Sequence, residues 1–111
     1  LEVWDARFCR PLDRGALALA SRRHSRMATV EEHALNGGFG SAVAEAVADL
    51  GLTIGLQRSG VPDRFIAHAT TREEQLEECG LSVSALVSSW GEYFGSGTVD
   101  KLSSAVREDY A

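Results

Sequence analysis

The sequence predicts an α/β fold built on a mostly parallel sheet. Two observations carry that prediction. Short apolar runs of strand character alternate with stretches whose apolar residues recur every three or four positions. The breaks between them hold glycine, proline or a residue suited to capping a helix. Strands joined through a crossover helix run parallel, so the alternation itself implies the strand direction.

The elements follow in order. Residues 1–7, LEVWDAR, alternate apolar and polar side chains and are expected to form a first strand, stopped by Pro11. Asp13 is placed to cap a helix through Ala16, Leu17, Leu19 and Ala20. Gly15 weakens the first turn of that helix by about 1 kcal/mol relative to alanine. Arg22, Arg23, His24 and Arg26 then cluster where cations favour a helix C-terminus, and a phosphate site is the alternative reading of the cluster. Residues 27–31, MATVE, predict a second, buried strand. After a glycine-rich turn, Ser41 is expected to cap a helix over residues 42–50, with Val43, Ala46, Val47 and Leu50 on one face and Gly51 as its stop. Residues 52–58 predict a third strand, in which Gly55 marks a weak point or a close approach. Residues 59–63 read as a turn. Thr70 or Thr71 caps a further helix that carries Glu73 and Glu74 in its first turn and ends at Gly80. Ser82 caps the next, over residues 83–93, with Leu86, Val87 and Trp90 inward. Beyond a break at residues 95–97, Val99, Leu102 and Val106 mark one last amphipathic helix over residues 98–110. Trp4, Phe8, Phe39, Phe65 and Trp90 are expected in the core.

The bulk properties narrow the function. A chain of 111 residues with 44% hydrophobic and 24% charged residues suits one modest soluble domain. Its net charge of −5 argues against a nucleic-acid partner, which asks for a basic surface. No apolar run is long enough to span a bilayer and no secretory leader opens the chain. Cys9 and Cys79 are far apart and form no CxxC pair, so a reduced cytosolic compartment is the simplest reading.

The chemistry-bearing residues cluster at the end of the second strand, in TVEEHALNGGFGSAV. Glycines before a helix can cradle a phosphate on its N-terminus, or can simply let strand and helix approach closely. The run of residues 36–40, NGGFG, fits neither GxGxxG nor a P-loop. Glu31, Glu32 and His33 carry side chains of the metal-ligand and acid–base type. Neighbours in an extended segment point to opposite faces, however, so the three do not converge. Glu31 is expected to bind backbone or a partner surface instead. Asp63 and Arg64 read as a turn cap and a surface ion pair. Cys9 lies between Arg7 and Arg10, but an inert thiol is favoured. These residues form no catalytic set.

Four blocks taken together are more specific than any one of them. VWDARFCRPLD, TVEEHALNGGFGSAVAEAVADLG, GVPDRFIAHAT and EEQLEECGLS occur in that order. Together they resemble the C-terminal domain of the 1-deoxy-D-xylulose-5-phosphate synthases, in the transketolase group of thiamine-diphosphate enzymes. The resemblance covers about the first nine-tenths of the chain. It implies a three-layer α/β/α domain over residues 1–94, N-terminally truncated by one strand and one helix, with residues 95–111 as an extra tail. The synthases condense pyruvate with glyceraldehyde 3-phosphate using thiamine diphosphate and Mg2+, both held by upstream domains. The resemblance therefore carries no catalytic, cofactor-binding or metal-binding residue onto this chain, which lacks the GDG-type metal motif and the glutamate that activates the thiamine ring. It implies a homodimer of cytoplasmic proteins, or of plastid proteins in a plant or alga, and it makes Glu31, Gly37, Gly38, Phe39 and Gly40 interface candidates. Three functions are open at this stage. One is an inactive scaffold and dimerisation portion of such a synthase. Another is a stand-alone module binding a phosphorylated metabolite at the glycine turn with Arg22, Arg23 or Arg26. The third is one subunit of a split enzyme.

Overall fold

A computed structural model describes residues 1–68 and 70–95. The expected helix over residues 98–110 lies outside them. The chain divides into two compact units, Trp4–Phe65, and Leu1–Val3 with Ile66–Ala111.

The first unit carries the sheet. Helix α1 (Arg14–Arg23) starts where expected, with Asp13 Oδ1 accepting the Ala16 N–H at 2.9 Å. Strands β1 (Arg26–Ala34) and β2 (Gly55–Val61) pair in parallel, joined by helix α2 (Phe39–Asp49). Val43 and Ala46 are the buried residues of the apolar face of α2, which packs on both strands; α1 packs against α2 and buries Ala20. The α/β class and the parallel sheet of the sequence reading both stand.

Three expectations in this unit need correction. Residues 1–7 form no strand, and the described sheet has two strands rather than three. Alternation supplies side chains for a strand but no backbone partner. Here the backbone bonds locally instead: Asp5 Oδ1 accepts the Arg7 N–H at 3.0 Å and Ala6 O accepts the Phe8 N–H at 2.6 Å. Arg7 sits at a φ of 57°, which breaks the extended run. With no strand to bury them, Trp4 and Phe8 are exposed rather than core, and so is Phe65 after β2; Phe39 is half-buried. The third correction is register. The second of the two strands begins at Gly55, not residue 52, because the Leu52 N–H is still bound to Val47 O at the exit of α2. It then runs through Gly60 and Val61, which the sequence places in a turn.

In the second unit, helix α3 (Arg72–Glu78) begins with a capping box. Thr71 Oγ1 accepts the Glu74 N–H at 3.3 Å, and Glu74 Oε2 accepts the Thr71 N–H at 3.0 Å. Helix α4 (Val83–Phe94) is capped by Ser82 as expected, and Leu81 before it is buried. Trp90 is half-buried and meets Phe94 edge to face at 6.5 Å.

Candidate functional site

The glycine turn joins the C-terminal end of β1 to the N-terminus of α2. A helix N-terminus leaves backbone N–H groups without partners and carries a partial positive charge. In this chain that position is filled from within. The Glu31 carboxylate accepts the Phe39 N–H at 2.6 Å and the Gly40 N–H at 2.9 Å. Hydrogen bonds to an ionised carboxylate contribute about 2 kcal/mol each. Glu31 therefore binds backbone, one of the two roles expected for it, and takes the place a phosphate would occupy.

A break in the ladder brings Glu31 there. Pairing runs regularly to Val30 opposite Ser59 and resumes at Ala34 opposite Val61, so Glu31, Glu32 and His33 together face Gly60. Such a bulge bends the strand and re-aims its side chains. Gly60 makes it possible: a Cβ at that position would lie 3.0 Å from Glu31 Cγ and 3.0 Å from the His33 carbonyl oxygen. Gly38 is required from the other side, since a Cβ there would collide with the Ala34 carbonyl oxygen and the Glu31 carboxylate.

Helix α2 consequently begins at Phe39 rather than residue 42, and its N-cap, Gly38, offers no side-chain hydrogen bond. The expected cap, Ser41, has another task. Its hydroxyl donates to Leu35 O at 2.7 Å and accepts the Gly37 N–H at 3.2 Å, which closes the turn. Arg58 Nη1 donates to Ser41 Oγ at 3.0 Å and to Leu35 O at 3.2 Å. Thr29, one of the few buried polar residues at 5% exposure, places its Oγ1 under the first turn of α2, without a hydrogen-bond partner among the described residues.

Of the five interface candidates, Gly37 and Phe39 offer surface, the first exposed and the second half-buried. Gly38 and Gly40 are buried, and the Glu31 carboxylate is engaged within the chain. The arginine cluster is not brought to the turn. Arg22 and Arg23 end α1 and Arg26 begins β1. Arg26 pairs with Gly55 and Ala34 with Val61, so the two ends of that strand lie roughly 20 Å apart, farther than an arginine side chain reaches. The cation at the turn is Arg58, which the sequence reading passed over together with Thr29 and Gly60. An isolated glycine in a strand signals a bulge or a close approach, and Gly60 carried that signal once β2 is known to include it.

The remaining candidates stay apart. Glu32, His33, Asp63, Arg64, His24 and His68 are exposed, and no group of three or more metal-ligating side chains forms among the described residues. The donor set a divalent metal would need is thus not assembled in the described part of the chain, and the helix N-terminus suited to a diphosphate already holds a carboxylate. Cys9 and Cys79 are free thiols. No described helix is long and apolar enough to cross a membrane.

Comparison with known proteins gives one consistent answer. Residues 1–86 match the family described as transketolase, C-terminal domain. The chain is 39% identical over 100 residues to the 1-deoxy-D-xylulose-5-phosphate synthase of a strain of Prochlorococcus marinus, covering 90% of this chain and 15% of that protein. It is 46% identical over 84 residues to the synthase of the same name from a strain of Synechococcus, covering 76% and 13%. It is 38% identical over 104 residues to that of Syntrophotalea carbinolica, covering 94% and 16%. The chain spans about 15% of the length of the curated relatives it matches.

Proposed function

The chain belongs to the transketolase C-terminal domain family, and from that premise we propose that it serves as the C-terminal scaffold and dimerisation portion of a 1-deoxy-D-xylulose-5-phosphate synthase. The synthase would condense pyruvate with glyceraldehyde 3-phosphate in isoprenoid-precursor synthesis, in the cytoplasm or, in a plant or alga, the plastid. Thiamine diphosphate and Mg2+ would be held by upstream domains on the same or a separate polypeptide. This chain would supply structure and no reacting group, and would be inactive alone.

The observation that carries the reading is the occupancy of the α2 N-terminus by Glu31. A turn whose two leading amides are bound to an internal carboxylate is built to hold strand to helix. It is not free to receive a cofactor phosphate. The distance of Arg22, Arg23 and Arg26 from the turn weakens the metabolite-binding alternative in the same direction.

The test is a chimaera. The matched C-terminal region of the Prochlorococcus marinus synthase is replaced by this chain, beside a deletion of the same region. The chimaera is expected to assemble as the parent does, by light scattering, and to retain turnover, while the deletion loses both. A soluble chimaera no better than the deletion would overturn the proposal.

A further inference from the structure

We propose that Asn36 is a self-modification site: its side-chain amide is converted to a carboxylate through a cyclic imide with Gly37, and Ser41 is the latch that sets the rate. Asn36 is the only asparagine in the chain, and a glycine follows it. A glycine leaves the backbone nitrogen after an asparagine unhindered by a side chain. Both residues are exposed in the turn between β1 and α2, so water reaches them. Gly37 sits at a φ of 77°, and a Cβ built there would meet nothing within 4 Å. The flank of Gly37 is thus open to a ring closed on its nitrogen.

The reaction needs only water. Hydroxide takes the Gly37 amide proton, and the nitrogen attacks Asn36 Cγ. An N–Cγ bond forms, the Cγ–Nδ2 bond breaks, and ammonia leaves with a proton from water. Water then opens the imide at either carbonyl, giving aspartate or isoaspartate.

Ser41 brackets the reacting residue. Its hydroxyl donates to Leu35 O at 2.7 Å and accepts the Gly37 N–H at 3.2 Å, so it ties together the two neighbours of Asn36. Arg58 Nη1, donating to the same hydroxyl at 3.0 Å, completes its bonding. While the latch holds, the proton that must leave is engaged and the nitrogen is fixed. Ring closure therefore waits on a local opening. Opening the latch is also what the product does. Isoaspartate inserts one methylene into the backbone between Leu35 and Gly37, about 1.5 Å of extra path. The Gly37 bond already lies at the long limit of its range. The modification thus loosens the turn that joins strand to helix and places a negative charge beside it.

The experiment ages the full chain, Ser41→Ala and Ala20→Gly in mildly alkaline buffer, with the full chain in urea as the unlatched reference. Ala20→Gly loosens α1, away from the turn. The acidic form is read by ion exchange and peptide mass, and isoaspartate by labelling with a protein isoaspartyl methyltransferase. The folded wild type is expected to convert at residue 36, to both products, roughly fivefold slower than in urea, the weight of one hydrogen bond. Ser41→Ala is expected to close at least half of that gap and Ala20→Gly less than half. No conversion at residue 36, a wild type as fast folded as in urea, a Ser41→Ala no faster than wild type, or an Ala20→Gly as fast as Ser41→Ala would each overturn the proposal. Should Ser41→Ala fail to fold, the isoaspartyl form of the wild type is separated from the unmodified chain. Its Gly37 amide is then expected to exchange faster and its melting temperature to fall, and an unchanged Gly37 rate would overturn the proposal. The proposal goes beyond the scaffold reading and fails separately from it, since the chimaera reads assembly and turnover and this test reads chemistry at one residue.

Discussion

Glu31 and Gly60 occupy one space: the Cγ of the first lies 3.0 Å from where a side chain of the second would begin. Gly60→Ala must push the glutamate stem, the His33 carbonyl or both. Overpacking of this kind costs about 1–3 kcal/mol. Urea unfolding followed by circular dichroism should show a lower midpoint with an unchanged slope.

A glycine elsewhere should behave in the opposite way. Gly91 lies inside α4, and nothing stands within 4 Å of a Cβ built there. Gly91→Ala is expected to stabilise the chain by roughly 0.5–1 kcal/mol, because alanine restricts the unfolded chain and suits a helix better. The midpoint should rise in the same urea experiment.

Ser41 joins Leu35, Gly37 and Arg58 through one hydroxyl. Ser41→Ala is expected to cost about 1 kcal/mol, as it removes the bond to Leu35 O in a part-buried turn. Arg58→Ala should cost less, since that side chain is exposed. A double-mutant cycle should find the pair coupled, because the Arg58–Ser41 bond is lost in either single variant. Fully additive effects would count against the geometry.

The capping box of α3 offers an independent check. The helix is only 7 residues long, so its cap is a large part of what holds it. Thr71→Ala is expected to cost about 1 kcal/mol and to speed exchange of the Glu74 amide, while leaving the Phe39 and Gly40 amides protected.

How far the sequence could be read depended on whether the relevant signal was local. Asp13 and Ser82 cap helices from one turn away and were legible from their spacing; for α3 the spacing left Thr70 or Thr71, and Thr71 is the cap. The parallel sheet was legible because a crossover helix dictates strand direction. The strand expected over residues 1–7 was not settled locally, since a strand exists only when something pairs with it. Ser41 was misread for a related reason. It looked like a cap because the group that binds the α2 amides, Glu31, comes from eight residues upstream of Phe39 across a bulge. Of the site, Glu31 and the glycines of the turn were visible as candidates. Thr29, Arg58 and Gly60 were not, because their roles exist only once β2 lies beside β1.

The bulge opposite Gly60 also bears on how this piece of protein can be recombined. Residues 31, 38 and 60 come from two strands and a turn but pack as one unit, with one large side chain and two positions emptied to admit it. A gene crossover between codons 31 and 60 that pairs this glutamate with a larger residue at 38 or 60 is expected to produce a clash. Shuffled libraries of such domains should therefore yield folded offspring mainly from breakpoints outside that interval.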